Sequence, residues 1–388
     1  MSDRRFDFEI TEELSTLKLH SLEIQNFRCF EHLLIEKLGR VNLIVGKNGV
    51  GKTSLLEGLW LLASGASWPV LHSILYERNE LVRYNLPAKK ARNEQIEAIK
   101  SFFNRPVTKN LPSLFRIGGK DAGKLESLHP VGIDENEKLY WDKDATHANA
   151  HVIEFELLQP DNEICIKGHP KPGYITQPEW PDLPTENELM DDVIARSMDY
   201  NVVFIPVKGL SWKAQARYWD MTVVVKQKNK SILDCLHTLA PDIEEYFFRG
   251  DNIQDSVRFP SVNAERFAGG VPLAKLGEGT QRVLALALAM SVASNGYLLI
   301  DEFETGLHHS VQADVWRAVF KLAHEWNVQV FATTHSWDCI EAFQEVAAED
   351  QNEEAVLISL QERKAGIKAV SFGERELNIA TRGHIEVR

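Results

Sequence analysis

One segment of the chain has the residue types and the spacing of a phosphate-binding loop. It reads Gly46-Lys47-Asn48-Gly49-Val50-Gly51-Lys52-Thr53 and fits the pattern G-x-x-x-x-G-K-[ST]. Glycines let backbone N–H groups close on an anion, and the N-terminus of a following helix adds partial positive charge. We expect Lys52 to pair with the β- and γ-phosphates of a nucleotide and the Thr53 hydroxyl to ligate Mg²⁺.

A pair of acids, Asp301 and Glu302, ends the apolar run Tyr297–Ile300. Packing alone does not explain two acids at the end of a buried strand, because burying charge is costly. With a phosphate loop upstream, Asp301 is expected to hold Mg²⁺ through water and Glu302 to orient and deprotonate the attacking water. The alternative is an ordinary strand end that reaches solvent.

Two further segments complete the set of candidate chemical groups. His335 follows the apolar run Val328–Thr334, at a strand end where ligands of open α/β sheets gather, and we predict that it senses the γ-phosphate. Leu276–Gln281 places glycines at the start of a helix, which is a second anion-binding arrangement. The alternatives are a structural histidine and a tight turn for close helix packing.

The elements that must position these groups alternate between strand and helix. Apolar runs and periodic faces predict strands at Val41–Val45, Tyr297–Ile300 and Val328–Thr334, and helices at Ser54–Leu62, Gly279–Ser294 and Val311–Trp326. Such alternation indicates a mostly parallel sheet covered on both sides. Two further strands, Leu17–Ile24 and Leu33–Ile35, are predicted before the phosphate loop. After the middle of the chain, regular order is expected to return at Val202–Pro206.

The chain divides into four predicted parts. Residues 1–16 form a flexible tail, 17–85 and 201–388 form the two halves of one nucleotide-binding unit, and 86–200 is an insertion that carries specificity. Ten of the fifteen prolines fall within the insertion, in pieces such as Pro170–Gly173 and Pro178–Pro184, although Val152–Leu157 still predicts a strand.

Composition restricts the classes of function. The net charge of −13 argues against a protein whose whole surface binds nucleic acid. The basic runs Lys89–Arg92 and Lys226–Lys230 leave local contact with nucleic acid as an alternative. No apolar run reaches the length of a membrane span, and the N-terminus is not a secretory signal, so we expect a cytoplasmic protein. Four widely spaced cysteines, Cys29, Cys165, Cys235 and Cys339, are expected to be free core thiols.

The order of these motifs resembles that of the ABC-type ATPase heads of the RecF, SMC and OLD kind. Asn26-Phe27-Arg28-Cys29-Phe30 is similar to their N-F-R-x-F segment. The stretch Pro272–Phe343 resembles most specifically the compact bacterial AAA-family ATPases of the AAA_15/AAA_21 type. The resemblance covers about 20–80 and 200–388 and hardly reaches the middle of the chain.

This resemblance implies an α/β fold: an ABC-type P-loop ATPase head with a mostly parallel central sheet, a β-rich N-terminal part and a divergent inserted region. It implies ATP and Mg²⁺ as ligands and a head-to-tail ATP dimer with Glu304–His308 at the interface. The implied residues are catalytic Glu302, His335 and Lys52; ATP-binding Arg28, Asn48, Gly49, Gly51, Lys52, Thr53 and Ser54; trans-acting signature Gly277, Glu278, Gly279 and Thr280; and magnesium-binding Thr53 and Asp301.

The chain departs from the ABC signature at one point. That signature has a serine followed by two glycines, whereas Gly277-Glu278-Gly279 stands here. The serine hydroxyl that would meet the γ-phosphate is missing, and backbone N–H groups or the Thr280 hydroxyl are the candidates to replace it. The glutamine that follows the phosphate loop in the family has no clear counterpart, since nothing singles out Gln95.

The leading hypothesis is an ATPase that dimerises or oligomerises on ATP and switches on hydrolysis. Proteins of this kind often sit in bacterial anti-phage or toxin–antitoxin operons, where the ATPase controls a separate effector or toxin. The residues after His335 are too few for the Toprim nuclease of OLD proteins, so destructive chemistry is expected from another chain. The alternatives are a RecF-like DNA-binding repair ATPase and a scaffold that binds ATP but turns it over slowly.

Overall fold

The computed structural model describes residues 17–66, 68–80, 98–104, 113–119, 132–133, 139–140, 152–158, 163–167, 201–250, 258–349, 354–364 and 366–373. Its strands are β1 (Leu22–Phe27), β2 (Phe30–Ile35), β3 (Val41–Gly46), β4 (Ser113–Gly118), β5 (Gly132–Ile133), β6 (Leu139–Tyr140), β7 (Val152–Leu158), β8 (Glu163–Lys167), β9 (Val202–Ile205), β10 (Ile243–Gly250), β11 (Arg258–Ala264), β12 (Val271–Pro272), β13 (Tyr297–Ile300), β14 (Gln329–Thr333), β15 (Ala355–Arg363) and β16 (Gly366–Gly373). Its α-helices are α1 (Lys52–Ala63), α2 (Trp68–Glu77), α3 (Trp212–Thr222), α4 (Lys226–Leu239), α5 (Glu278–Val292), α6 (His309–Glu325) and α7 (Trp337–Glu349), and a 3₁₀ turn at Leu273–Leu276 precedes α5.

Among the described residues, the central sheet has six strands in the order β16-β15-β3-β14-β13-β9. Neighbouring strands from β15 to β9 run parallel, and only the edge strand β16 is antiparallel to its neighbour. The phosphate loop follows β3, so it lies between β15 on one side and β14 and β13 on the other. The predicted mostly parallel sheet is confirmed.

Both faces of this sheet are buried, as the continuous apolar strands require. Val41, Leu43 and Val45 point into a core shared with α3 to α7. Ile44, on the opposite face, lies in a second core with β1, β2, α1 and α2. Helix α1 therefore extends from the phosphate loop into a closed apolar layer, which fixes the direction of its N-terminus.

A second sheet, which is antiparallel, has the strand order β2-β1-β4-β7-β8. The predicted strand Val152–Leu157 is confirmed as β7. Because β4 pairs with β1 through Ile24 and Ile117, this sheet crosses the proposed boundary between residues 85 and 86. The division into four parts stays a prediction, and the tail 1–16, the two proline-rich pieces, Lys89–Arg92 and Gln95 lie outside the described residues.

The first predicted strand is displaced along the chain. We expected Leu17–Ile24, whereas β1 spans Leu22–Phe27. The backbone of Leu19 is held instead by the buried side chain of Gln329, which donates to the Leu19 carbonyl at 2.7 Å and accepts from its N–H at 3.0 Å. The side chain of Gln329 in β14 thus makes the hydrogen bonds that a neighbouring strand would make with the Leu19 backbone. The alternation of apolar and polar residues gives no sign of this.

Packing behind the paired acids is aromatic. Phe303 follows Glu302 directly, and its ring stacks on that of Trp316 from α6 with centroids 3.7 Å apart and planes at 9°. Both side chains are fully buried. Trp316 also meets Phe343 of α7 edge-on at 5.0 Å. The loop that carries Asp301 and Glu302 is therefore anchored by Phe303 to α6, and Trp316 connects it further to α7.

We expect Trp316→Ala to lower the free energy of unfolding by about 3–5 kcal/mol, the usual cost of removing a buried aromatic side chain. Trp316→Phe, which keeps a ring against Phe303, should cost less. Urea denaturation of both variants measures the difference. A Trp316→Ala protein as stable as the wild type would contradict the anchoring role.

Candidate nucleotide-binding and hydrolysis site

The phosphate loop bulges between β3 and α1, and its residues Lys47–Gly49 are exposed. Gly51 closes the loop with φ +102°, a conformation that side chains strongly disfavour. A Cβ at this position would lie 2.5 Å from Cys29 Sγ and 2.8 Å from Phe30 Cζ. The turn between β1 and β2 therefore packs directly on the loop, and glycine is required there for both conformation and space.

Lys52 begins α1 and keeps its ammonium inside the loop. Its Nζ donates to the carbonyls of Gly46 at 2.8 Å and Lys47 at 3.2 Å. The cap residue Gly51 supplies no side-chain hydrogen bond to the helix, and no acid lies in the first turn. The N–H groups of that turn and the positive end of the helix dipole are thus available to an anion.

A chain of hydrogen bonds links the two halves of the site. Thr53 Oγ1 donates to Asp301 Oδ2 at 3.0 Å, and Thr333 Oγ1 donates to Asp301 Oδ1 at 2.6 Å. The Glu302 N–H in turn donates to Thr333 Oγ1 at 2.9 Å. Asp301 is only 6% exposed, so its two oxygens are held by these hydroxyls within the protein. The two residues predicted to bind magnesium, Thr53 and Asp301, are thus in direct contact, and their role toward the metal stays a prediction.

Hydroxyl and carboxylate oxygens are the donors that Mg²⁺ prefers, alongside phosphate oxygens and water. Thr53 Oγ1 and Asp301 Oδ2, 3.0 Å apart, supply two such donors at the mouth of the phosphate loop. The residues present therefore fit a magnesium ion that is shared with a bound nucleotide.

Glu302 lies just beyond the carboxyl end of β13 and has a left-handed backbone conformation, with φ 49°. This conformation is uncommon for a residue other than glycine and turns the chain sharply after β13. Its side chain is 36% exposed, and Oε2 accepts from Thr305 Oγ1 at 3.2 Å. His335 Nδ1 is 3.9 Å from Glu302 Oε1. The carboxylate is thus oriented by Thr305 and still accessible to water.

Glu304 holds the histidine, a role that the sequence interpretation missed because it placed residues 304–308 at an interface. Its Oε1 accepts the His335 backbone N–H at 3.0 Å and lies 3.1 Å from His335 Nδ1. The Glu304 side chain is 11% exposed, whereas that of His335 is 50% exposed. The sequence offered one sign of this role, a third acid only two residues after the Asp301-Glu302 pair.

The glycine-rich start of α5 presents an exposed tip. Gly277 has φ +102°, Gly277 and Glu278 are exposed, and Gly277 caps the helix without a side-chain hydrogen bond. Thr280 behaves differently: it is 3% exposed, and its hydroxyl donates to the Leu276 carbonyl at 3.3 Å. Backbone N–H groups are therefore the better candidates for the missing serine, and the trans contact stays a prediction.

Arg28, a predicted ATP ligand, is surrounded by groups of the protein itself. Its side chain is 6% exposed, Nε lies 3.4 Å from Glu57 Oε2, and Nη1 donates to Glu80 Oε1 at 2.8 Å. The guanidinium also lies 4.4 Å from the centroid of the Phe102 ring. The two acids and the ring therefore hold the guanidinium of Arg28 within the protein, and its role as an ATP ligand stays a prediction.

Ser54, which was also predicted to bind ATP, is hydrogen-bonded to a second arginine, Arg78. Its side chain is buried, and Oγ accepts from Arg78 Nη2 at 3.0 Å. Arg78 Nε also donates to Glu57 Oε1 at 2.5 Å. The first turn of α1 is therefore fixed by Arg78, the residue that follows α2, a contact that no local sequence pattern indicates.

The basic run Lys226–Lys230 has a structural use at its centre. Lys228 Nζ donates to the Ser291 carbonyl at 2.6 Å and to Ser294 Oγ at 2.7 Å, and burial lowers the pKa of this lysine. The ammonium therefore caps the C-terminus of α5. Lys228 is not a surface charge offered to nucleic acid.

Cys29, Cys235 and Cys339 are free thiols, but they are not all in the core. Burial raises the pKa of the Cys235 thiol to about 11 and that of Cys339 to about 12. Cys29 is exposed, next to the phosphate loop, which corrects its predicted core position. No helix in this part of the chain is long and apolar enough to cross a membrane.

Two family models match the chain. One is described as an AAA ATPase domain and matches residues 17–169. The other is described as "AAA domain, putative AbiEii toxin, Type IV TA system" and matches residues 226–338. The chain is an AAA-type ATPase. Because the first match runs to residue 169, the similarity enters the middle of the chain further than we expected.

Similar proteins agree with this assignment. An ATP/GTP phosphatase of Helicobacter pylori is 22% identical over 355 residues, which span 85% of this chain and 89% of that protein. A DNA replication and repair protein RecF of Streptococcus pyogenes is 24% identical over 82% of this chain and 92% of its own length.

The solved structure of an SMC head bound to the C-winged helix domain of ScpA matches this fold. It has a TM-score of 0.50, 15% identity, and covers 92% of this chain and 97% of that one. At this identity the likeness concerns the fold alone. The predicted fold, that of an ABC-type P-loop ATPase head, is thereby confirmed.

We expect Thr333→Val to lower the ATP turnover number about 10- to 100-fold, because loss of a group that orients a site residue has effects of this size. The isosteric change removes the hydroxyl that joins Asp301 to the Glu302 N–H. Steady-state hydrolysis measures the effect, with circular dichroism to confirm folding.

Thr333→Ser is the matched control, since it keeps the hydroxyl and should retain most of the activity. Equal losses in the valine and serine variants would show that the methyl group, rather than the hydrogen bond, carries the effect.

Proposed function

We propose that this chain is an ATP-driven switch in the cytoplasm, which assembles head to tail on Mg²⁺-ATP, is released by hydrolysis, and controls a separate effector protein. One observation carries the nucleotide site: Thr53 Oγ1 and Asp301 Oδ2, separated by 248 positions in the chain, lie 3.0 Å apart. This contact brings the phosphate loop and the paired acids together in a single site.

The roles of the side chains follow from their positions. Lys52 and the N-terminus of α1 neutralise the phosphates. Glu302 accepts the proton of the attacking water, and His335 donates to the γ-phosphate while Glu304 holds its ring. Thr53 and Asp301 would hold the magnesium ion, which when bound would neutralise negative charge on the phosphates.

Assembly is supported by groups that one copy leaves exposed. The exposed α5 tip at Gly277 carries the N-terminus of a helix, whose backbone N–H groups and partial positive charge favour an anion, while the acid Glu278 in the first turn offsets part of that charge. Gly306, in the loop after the acids, is also exposed and has φ +77°. In the proposed dimer, the tip of one copy faces the phosphate loop of the other, and the loop around Gly306 lies between them.

Control of an effector in anti-phage defence or a toxin–antitoxin system is supported by one match. The family model over residues 226–338 carries the words AbiEii toxin and Type IV TA system in its description. In this proposal the effector's own reaction is carried out by another chain, because the side chains of the site described above are suited to binding and hydrolysing a nucleotide.

A DNA-repair role is the second candidate, favoured by the relatives named RecF. The net charge of −13 and the structural use of Lys228 count against it. A gel shift with ATP at two salt concentrations separates the candidates, since DNA held through phosphate contacts dissociates as salt rises. Absence of any shift at about 50 mM salt would reject DNA binding.

Lys52→Ala should weaken ATP binding at least about 100-fold, because hydrogen bonds from a charged group contribute about 1.5–3 kcal/mol each. Isothermal titration calorimetry measures the affinity. Lys321→Ala, which removes an exposed lysine of α6 near Asp234, is the control for the loss of one positive charge. Unchanged affinity in Lys52→Ala would refute the assigned site.

Glu302→Gln should lower turnover about 100-fold or more, the size of a general-base contribution, while ATP stays bound. The assembled form should then accumulate, and light scattering with and without ATP would detect it. Glu244→Gln, an exposed position of β10, is the control. Wild-type turnover in Glu302→Gln would place the base elsewhere.

A further inference from the structure

The corner between α3 and α4 presents apolar side chains to solvent. It reads Val223-Val224-Val225, and the side chain of Val224 is 76% exposed. A connection between two helices is usually polar, because apolar surface is favoured in buried positions. An apolar corner this exposed is surface available to a partner.

The corner belongs to a larger apolar surface, which we call the α3 face. Across the described residues, six large apolar side chains are exposed, and five of them lie between positions 207 and 225. The sixth, Phe259, has its ring centroid 6.2 Å from that of Trp212, at the start of α3. Single exposed apolar residues are ordinary on a protein surface, whereas a cluster marks an interaction site. The α3 face consists of Val207, Trp212, Met221, Val224, Val225 and Phe259.

The surroundings of the α3 face are basic, although the chain as a whole is acidic. Residues 207–230 contain six lysines and arginines and one acid, within a chain of net charge −13. That acid, Asp220, is paired, since its Oδ1 accepts from Arg258 Nη1 at 2.8 Å. Lys226 and Lys230 are exposed, and α4 begins with neither a side-chain cap nor an acid in its first turn. The charge of this surface is therefore complementary to an acidic partner.

The α3 face is joined to α5, the helix whose tip enters the proposed contact between copies. Thr222, at the end of α3, is buried, and its Oγ1 lies 2.5 Å from Ser291 Oγ of α5. Lys228 of α4 donates to the Ser291 carbonyl at 2.6 Å. Because both helices of the corner are fixed to α5, a movement of α5 would also move the α3 face.

The side chains of the α3 face favour a protein as the partner. Four of the six are aliphatic, and aliphatic groups pack on other apolar side chains but gain little from phosphate or sugar. Proteins that bind single-stranded nucleic acid rely instead on stacked aromatic rings. A membrane with anionic lipids would attract the lysines but repel a chain of net charge −13. An acidic amphipathic helix fits both properties of the face, because it carries an apolar stripe with carboxylates beside it.

We propose that the α3 face binds an acidic amphipathic helix of the effector protein. The apolar stripe of that helix packs on Met221, Val224 and Val225, and its carboxylates lie beside Lys226 and Lys230. This inference rests on the proposed function for the identity of the partner, and it adds the surface and the chemistry by which the partner is recognised.

The test uses a fluorescein-labelled synthetic peptide of alanine, glutamate and leucine, with leucines three and four positions apart. The full chain is titrated into it without nucleotide, and fluorescence anisotropy measures the affinity. An isomer of the same composition in scrambled order lacks the apolar stripe and should bind at least about tenfold more weakly. A version with lysine in place of every glutamate should not bind, because like charges then face each other.

Val224→Asp should weaken binding of the first peptide about tenfold, because it removes an apolar contact and adds a like charge. It should leave ATP turnover unchanged, since Val224 lies outside the hydrolysis site. Lys226→Glu should weaken binding about threefold at low salt and less as salt rises, because exposed charges are screened. Lys37→Glu, at an exposed lysine between β2 and β3, is the matched control and should leave the affinity unchanged.

Equal binding of the scrambled isomer, or unchanged affinity in Val224→Asp, would overturn the proposal. Tighter binding of a DNA duplex or of phosphatidylglycerol vesicles than of the acidic peptide would also overturn it, and would assign the α3 face to nucleic acid or to lipid. Failure of the proposed switch is a distinct result. It would appear as a peptide affinity that AMPPNP does not change, while Val224→Asp still weakens binding.

Discussion

A buried carboxylate, Asp301, is the constraint on which the site depends. At 6% exposure an unpaired charge would be strongly destabilising, and here hydroxyls from α1 and from the end of β14 satisfy its two oxygens. The same two hydrogen bonds fix the phosphate loop and the strand ends relative to each other. The contacts that satisfy this buried charge are thus the same ones that position the two proposed magnesium ligands.

The parallel sheet gives this arrangement a direction. Groups suited to hydrolysis follow β13 and β14, beside the strand β3 that leads into the phosphate loop. Because neighbouring strands from β15 to β9 are parallel, their carboxyl ends meet at one edge, where ligands of such sheets bind. The phosphate loop and the groups suited to hydrolysis therefore meet at that edge.

Many charged groups around the site serve to build it rather than to bind ligands. Arg28 is neutralised by Glu57 and Glu80, and Arg78 connects Glu57 to Ser54 behind the phosphate loop. Buried pairs of this kind contribute little net free energy, but removing one partner is costly. They hold the first turn of α1 in place, so the orientation of the anion-binding N-terminus depends on residues that need not touch the ligand.

The sequence by itself determined the phosphate loop, the Asp-Glu pair and the alternation of strands and helices. Each of these has a local physical cause: glycine conformation, a charge after an apolar strand, and hydrophobic periodicity. It did not determine the contacts of Arg28, Glu304 or Thr333. Those contacts join distant parts of the chain, as does the contact across the 248 positions between Thr53 and Asp301, and only the packed sheet and helices bring such groups together.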